Sequence, residues 1–253
     1  MDSHVTDELI ERDRISDYTG FFHFRLLYCN IAIRKATCKQ NDKRYLRSSM
    51  CASYQKKLSV QEKNRIFYCI IINGEIYYGK DGYSGEFGHI HMYENNVMCH
   101  CGKKGCIETE ISGSAVCRKL VERIYNHEAS VLSKKVWNGN MITIEDIIEA
   151  AKLEDPLCIE LVTQAGGELG HQLAGLINLL NPDRIIIGGR MSEIAPYYFL
   201  QPVKLAVHKY SLRLMTQQLS IVPSRLGGDA GVIGACLIAR KKMIWNKLSI
   251  CKR

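Results

Sequence analysis

The chain has 253 residues, of which 46% are apolar and 24% are charged, a balance typical of a soluble globular protein with a sizeable core. It contains no run of about 18 apolar residues, which argues against a membrane span, and its acidic, polar start is unlike a signal peptide. We therefore expect a cytoplasmic protein that has no membrane partner. The net charge of +8 is largely spread along the chain, so it gives no specific indication of nucleic-acid binding.

Residues 1–62 are the least interpretable part of the sequence. The segment FFHFRLLYCNIAIRK at 21–35 predicts a strand, but the residues after it have neither helical nor strand periodicity. The pattern is clearer further on, where Ile66–Ile72 predicts a strand, Asn73-Gly74 a tight turn and Glu75–Tyr78 the returning strand. A hairpin is therefore expected after the N-terminal region.

Helices and strands alternate in the second half of the sequence. Five helices are predicted there. Four have starting signals, at Ser114, Thr143 with Asp146, Asp155-Pro156 and Pro202, and a closing helix spans 232–238. Asn181-Pro182 ends the long third helix, and strands at 184–187 and 219–222 each lead to a glycine-rich turn. This alternation predicts an α/β fold.

Three cysteines lie at close spacing, at Cys99, Cys101 and Cys106. The chain has 11 cysteines, and an odd number without an export signal favours reduced thiols and a metal site over a disulfide framework. Three thiolates and one imidazole are a ligand set that zinc accepts in tetrahedral geometry, with no position left open for catalysis. We therefore predict a structural zinc, with His89 as the favoured fourth ligand and His91 as the alternative.

Two glutamates flank this cysteine cluster. If a metal holds Glu86 and His89 against the loop that ends at Glu108, two carboxylates and an imidazole meet at one place. Ionised carboxylates accept hydrogen bonds and an imidazole can donate one, so this group could hold several sugar hydroxyls. The alternative is that both glutamates only support the metal ligands. The residues alone leave both interpretations open.

Two glycine turns, Gly188-Gly189 and the one that begins at Gly227-Gly228, each follow a predicted strand and precede a helix. Backbone N–H groups at such turns can face a phosphate or a nucleotide, although many of these turns contain glycine for steric reasons alone. The pattern G-x-x-x-x-G-K-[ST] does not occur in the sequence, so a Walker-type nucleotide site is excluded.

The segment from Gly85 to Glu108 contains Gly-Glu-Phe-Gly-His, nine residues, and then Cys-His-Cys-Gly-x-x-Gly-Cys-x-Glu. This pattern resembles the signature of the ROK family, which comprises repressors, open reading frames and sugar kinases. Further on, NLLNPDRIIIGGR and SRLGGDAGVIGACLIA resemble the family's nucleotide-side and closing segments. The resemblance extends from Arg65 to about Ile244 and indicates an N-terminally truncated or divergent member.

The resemblance implies an actin-like ATPase fold of the ribonuclease H-like type. Residues 63–253 would form the mostly complete larger α/β domain, and residues 1–62 a degenerate remnant of the N-terminal nucleotide- and sugar-binding domain. The implied partners are a hexose or N-acetylhexosamine and a second copy of the chain. The implied site residues are His89, Cys99, Cys101 and Cys106 for zinc, Glu86, His89 and Glu108 for sugar, and Gly188, Gly189, Gly227 and Gly228 for a nucleotide.

The sequence departs from the pattern of family kinases in its first part. An Asp-x-Gly-Gly-Thr-like phosphate turn does not occur before Arg65, and the strand at Ile66–Ile72 enters a hairpin instead of a second phosphate turn. The candidate catalytic base is Asp42, which lies in the only Asn-Asp pair but outside the alanine-rich context expected for it. These departures predict that kinase activity is lost or impaired.

We therefore predict a ROK-family sugar-binding protein with a structural zinc, which would use ATP and Mg²⁺ only if kinase activity is retained. One alternative is an active ATP-dependent hexose or N-acetylhexosamine kinase. A further alternative is a sugar-responsive transcriptional regulator. Residues 1–62 contain no recognisable helix-turn-helix, so DNA binding is not expected of this chain alone.

Overall fold

The computed structural model describes residues 30–35, 66–73, 75–226, 229–230, 233–234 and 236. The candidate base Asp42 and the turn at Gly227 and Gly228 lie outside the described residues, as does most of 1–62. The predicted boundary near residue 62 therefore stays a prediction. Within the described ranges, no helix is both long enough and apolar enough to cross a membrane.

The described strands form one mixed sheet in the order β3-β2-β1-β4-β5. Their bounds are β1 Asn30–Lys35, β2 Phe67–Ile72, β3 Glu75–Ile76, β4 Arg184–Gly188 and β5 Ser220–Pro223. The predicted hairpin is confirmed, because β2 and β3 pair antiparallel with Ile71 opposite Ile76. Strand β1 is parallel to β2 and antiparallel to β4, whereas β4 and β5 are parallel.

Helices fill most of the chain from residue 108 to 216, and they share one core with buried residues of β4 and β5. Their bounds are α1 Glu108–Ile111, α2 Gly113–Tyr125, α3 Ser133–Trp137, α4 Ile144–Lys152, α5 Pro156–Leu180, α6 Arg190–Ile194, α7 Pro196–Tyr210 and α8 Arg213–Thr216. The long helix α5 is apolar around much of its circumference, and it contributes Leu161, Leu169 and Leu173 to a continuous core shared with the strands.

The caps of α4 and α5 match their sequence signals. Thr143 and Asp146 form a reciprocal capping box at the start of α4, as predicted. The side chain of Asp155 accepts from the backbone of Cys158 at the start of α5, and Asn181 ends that helix in a left-handed conformation. Local hydrogen bonds therefore fix the bounds of both helices.

Two predicted helix starts are wrong. Helix α2 is capped by Ser112 and not by Ser114, because the Ser112 hydroxyl accepts from the Ala115 backbone N–H at 3.2 Å. Helix α7 begins at Pro196, and Pro202 lies inside it. Both prolines suit a first helical position, but the buried Phe199 before Pro202 continues the face that packs on the core, so the helix starts earlier.

Candidate metal and sugar site

A single 3-10 turn at Phe87–His89 carries the first site residues. Gly85 precedes it with φ of +101°, and a side chain there would collide with the Tyr68 carbonyl oxygen. A Cβ on Gly88 would lie 2.9 Å from the Ile66 carbonyl oxygen. Both glycines of the Gly-Glu-Phe-Gly-His segment are thus needed for the turn to approach the segment that enters β2.

The structure brings four potential metal ligands together: His89, Cys99, Cys101 and Cys106. Their ligand atoms all lie within 4.8 Å of one another. His89 Nδ1 is 3.4 Å from Cys99 Sγ, and Cys101 Sγ is 3.6 Å from Cys106 Sγ. Cys106 is fully buried, whereas Cys101 is exposed.

These distances fit a tetrahedral zinc site. Zinc lies about 2.3 Å from sulfur and about 2.0 Å from an imidazole nitrogen, so tetrahedral ligands are separated by about 3.8 Å for two sulfurs and about 3.5 Å for sulfur and nitrogen. The Cys101–Cys106 and Cys99–His89 distances are close to these ligand–ligand separations. The set of three thiols and one imidazole also matches the chemistry that zinc prefers.

The three thiols differ in acidity. Burial, followed by the neighbouring Cys101 and Cys99 thiols, raises the pKa of Cys106 to about 12, and burial raises the pKa of Cys99. Partial burial also acts to raise the pKa of Cys101, but hydrogen bonds from the Lys103 backbone and the other thiols lower it. Cysteine binds a metal ion as the thiolate, so an ion bound here would displace protons from these thiols.

The other ring nitrogen of His89 faces the first candidate sugar residue. His89 Nε2 lies 3.6 Å from Glu86 Oε2, and both side chains are partly exposed. A histidine whose second nitrogen approaches a carboxylate is a common arrangement at metal sites, because the carboxylate fixes the ring orientation. His89 thus connects the thiol cluster to Glu86.

Glu108, the second candidate sugar residue, is buried at the start of α1, with 4% of its surface exposed. Its Oε2 accepts from the Ile66 backbone N–H at 3.3 Å and lies close to Gly88, where an added Cβ would be 3.0 Å away. The carboxylate therefore lies beside the 3-10 turn that carries Glu86 and His89. The structure brings all three candidate sugar residues to one region.

A cavity of about 150 Å³ adjoins this region, between residues 97–100 and the first turns of α1 and α2. Its lining combines apolar groups with hydroxyl and charged groups, including Met98, Glu108, Ser112 and Arg118. The Arg118 guanidinium already donates to Glu122 and to the Thr109 carbonyl oxygen.

The other two histidines of the segment lie outside the ligand group. His91 pairs with Cys106 through the backbone, and its imidazole occupies the space beside Gly105, where a Cβ would be 2.7 Å from Nε2. His100 is exposed. The geometry therefore favours His89 over the alternative His91 as the fourth ligand.

The first glycine turn, Gly188-Gly189, ends β4 and leads into the short helix α6. Gly189 has φ of +108°, a conformation that favours glycine, and its carbonyl oxygen accepts from the Ser192 hydroxyl at 2.8 Å. This turn has a steric reason for its second glycine, and its role toward a nucleotide stays a prediction.

Sequence reasoning missed two polar side chains that hold the loop between His89 and Cys106. The Tyr93 hydroxyl donates to Glu168 Oε2 at 2.7 Å, and Asn95 Nδ2 donates to Thr109 Oγ1 at 3.2 Å. Asn95 had a weak signal, since amides in loops often bond nearby backbone or side chains. Tyr93 had none, because its partner is 75 residues away in the sequence.

The ROK family model matches residues 68–242 of the chain. The chain belongs to the ROK family. This match includes the whole ligand cluster and all three candidate sugar residues, and it confirms the family that the signature segment indicates.

Curated relatives of the chain include both kinases and regulators of this family. The glucokinase of Halalkalibacterium halodurans is 34% identical over 174 residues, which make up 68% of this chain and 52% of that protein. The DNA-binding transcriptional dual regulator NagC of Escherichia coli is 32% identical over 179 residues, or 69% of this chain and 41% of that protein. The chain thus spans about half the length of the curated relatives it matches.

Solved structures of the family confirm the predicted α/β fold of the actin-like ATPase type. A ROK family transcriptional regulator, a homologue of the Escherichia coli MLC protein, matches with a TM-score of 0.60 and 33% identity over 70% of this chain and 46% of its own. A ROK glucokinase from Streptomyces griseus, solved with glucose and AMPPNP, matches with a TM-score of 0.58 and 29% identity, covering 66% of this chain and 55% of its own.

Proposed function

We propose that the chain is a ROK-family sugar-binding protein with a structural zinc and with lost or impaired kinase activity. The observation that carries this proposal is that the two ring nitrogens of His89 face different groups. Its Nδ1 lies among the three cysteine sulfurs, and its Nε2 lies 3.6 Å from Glu86. One imidazole therefore connects a ligand set suited to zinc with a carboxylate suited to sugar hydroxyls.

Zinc would be held by His89, Cys99, Cys101 and Cys106 and would have a structural role. Four protein ligands complete its tetrahedral shell, so the ion has no open position for a substrate. Bound there, it would fix the orientation of the His89 ring and tie the loop ending at Cys106 to the 3-10 turn. The sugar-facing groups would then be held in place before a ligand arrives.

The proposed ligand is a hexose or an N-acetylhexosamine. Glu86 and Glu108 offer carboxylate oxygens that accept from sugar hydroxyls, and the His89 ring can donate or accept. Glucose is present in the structure of the Streptomyces griseus relative, which supports this ligand class.

Impaired kinase activity follows from the residues that phosphoryl transfer requires. Positioned phosphate donors and a catalytic base each lower the barrier by several kcal/mol in typical enzymes. The sequence has no Asp-x-Gly-Gly-Thr-like turn before Arg65, and its only Asn-Asp pair contains Asp42 in an unusual context. Phosphate binding would therefore be weak even when sugar is bound.

Calorimetric titration of the zinc-loaded protein with glucose and N-acetylglucosamine tests the sugar proposal. We expect measurable binding to the wild type and at least about tenfold weaker binding to Glu86→Gln and Glu108→Gln, since each removes a charged acceptor. Glu94→Gln is the matched control, because Glu94 is exposed in the same segment. Absence of heat with a panel of hexoses and N-acetylhexosamines would overturn the sugar-binding proposal.

An active sugar kinase is the second candidate, favoured by the 34% identity to a glucokinase. A coupled assay of ADP release with ATP, Mg²⁺ and the same sugars distinguishes the two. Sugar-dependent turnover that disappears in Asp42→Asn would establish the kinase with Asp42 as its base.

The relationship to NagC favours a further candidate, a sugar-responsive regulator that binds DNA with a partner chain. Salt-sensitive binding to promoter DNA of sugar operons would support it. We expect a homodimer by analogy with the family, and no DNA binding by this chain alone.

A further inference from the structure

The loop that carries the cysteines, residues 90–107 and called the ligand loop here, is attached to the long helix α5 by one tyrosine. The Tyr93 hydroxyl donates to Glu168 Oε2 at 2.7 Å and accepts from Gln172 Nε2 at 3.3 Å. Glu168 and Gln172 are four residues apart, so they lie on the same face of α5. The hydroxyl is therefore engaged by two side chains of one rigid element.

The backbone of Tyr93 holds the residue next to a metal ligand. Tyr93 N and Met92 N both donate to the Gly105 carbonyl oxygen, at 3.1 Å and 2.8 Å. Gly105 has φ of +73°, and a Cβ there would collide with the Tyr93 carbonyl oxygen. Cys106 follows directly and is fully buried. The position of Tyr93 therefore sets the position of Cys106.

The contact has the character of a strong hydrogen bond. A tyrosine hydroxyl that donates to a carboxylate makes a charge-assisted bond, which is stronger than a neutral one. Burial, and next the bond to Glu168, raises the pKa of Tyr93, so the hydroxyl keeps its proton as donor. Gln172 is buried, with 8% of its surface exposed, so its amide has few alternative hydrogen-bond partners.

We propose that Tyr93, held by Glu168 and Gln172, is a positioning residue for the metal centre. It acts through Gly105 and Cys106 and does not touch the metal or the sugar. This inference rests on the proposed zinc site, and it assigns the α5 face at Glu168 and Gln172 a role in metal affinity. Helix α5 thereby supports a ligand set to which it contributes no ligand.

Tyr93→Phe tests this role because it removes only the hydroxyl. We expect zinc affinity, measured by competition with a chelator of known affinity, to fall by about 10–100-fold, the usual effect of losing an outer-shell partner. The absorption bands of the Co²⁺-substituted protein report ligand geometry and should shift or weaken. Tyr125→Phe is the matched control, because Tyr125 is exposed and its ring contacts Trp137 away from the loop.

Variants of the partner separate positioning from general stability. Glu168→Gln keeps an oxygen that can accept from Tyr93 and should retain most of the zinc affinity, whereas Glu168→Ala should match Tyr93→Phe. The double variant Tyr93→Phe with Glu168→Ala should bind zinc no more weakly than either single variant, because the two groups act as one unit.

The experiment distinguishes failure of the positioning inference from failure of the metal site. If wild-type protein takes up zinc and Tyr93→Phe binds it with unchanged affinity and an unchanged Co²⁺ spectrum, the positioning inference is wrong while the metal site stands. If the wild type itself binds no zinc, the proposed metal site fails, and the inference fails with it. A Tyr93→Phe variant that loses only stability, with the affinity of the folded protein intact, also counts against positioning.

Discussion

At the scale of single residues, Asp155 shows how one buried carboxylate can serve two backbone segments. Its Oδ1 accepts from the Cys158 N–H at 2.9 Å and caps α5, and its Oδ2 accepts from the Val131 N–H at 2.7 Å. Only 3% of its surface is exposed. Burial acts to raise the pKa of Asp155, but the hydrogen bonds from Cys158 and Val131 outweigh burial and lower it.

Replacing Asp155 by alanine should lower the free energy of unfolding at pH 7 by about 1–3 kcal/mol, because the helix loses its cap and the Val131 N–H loses its charged acceptor. Because the pKa of Asp155 is lowered in the folded state, this stabilisation is fully present above the pKa of the unfolded state, about 4. It is lost as the pH falls through the pKa of the folded state. The difference between wild type and Asp155→Ala should therefore shrink in acid. Urea unfolding of both proteins at pH 7 and near pH 3 measures this difference in stability.

The exposed Asp81 provides the comparison for that experiment. Asp81→Ala should change stability by less than about 0.5 kcal/mol at either pH. A loss in Asp155→Ala that is the same at both pH values would mean that the carboxylate charge does not contribute.

At the scale of elements, the contact between α5 and α7 depends on two glycines. A Cβ on Gly166 would collide with the Phe199 carbonyl oxygen, and one on Gly170 with the Val203 carbonyl oxygen. These glycines are four residues apart, so they lie on one face and let the two helix backbones approach closely. Gly167 and Gly175 of the same helix have no neighbour within 4 Å of an added Cβ.

Alanine substitutions should therefore have opposite effects within one helix. Gly166→Ala and Gly170→Ala should each destabilise the protein by about 1–3 kcal/mol, because the helices must move apart. Gly167→Ala and Gly175→Ala should stabilise it by up to about 1 kcal/mol, since alanine has the higher helix propensity. Thermal or denaturant unfolding of the four variants checks this, and equal effects at all four positions would contradict the close approach.

At the scale of the whole molecule, the ligand loop joins parts of the fold that are distant in sequence. Glu108, the residue that follows the loop, accepts from the Ile66 N–H just before β2, and Tyr93 connects the loop to α5 through Glu168. A metal at the centre of this loop would therefore stabilise contacts well beyond its own ligands. Binding that is coupled to folding adds its free energy to the stability of the native state.

We expect close to one zinc per chain by elemental analysis and a lower unfolding temperature after chelation. Cys101→Ser should reduce both the zinc content and the stability, because it removes one of four ligands. Cys236→Ser is the matched control, since Cys236 is likewise an exposed free cysteine but lies outside the ligand group. Substoichiometric zinc in carefully purified wild type would count against the site.

The sequence by itself determined the features that depend on residues close together in the chain. The hairpin at Asn73, the capping box at Thr143 and Asp146, and the spacing of the three cysteines are local, because their hydrogen bonds or shared ligand need only a few intervening residues. The family followed from the same local pattern.

Only the tertiary structure decided which side chains support that pattern. The start of α7 depends on how Phe199 packs, and the bond from Tyr93 to Glu168 spans 75 residues. Such contacts are set by the relative position of whole elements, which no short stretch of sequence encodes. The ligands of the proposed metal centre could be predicted locally, whereas the groups that hold them in place could not.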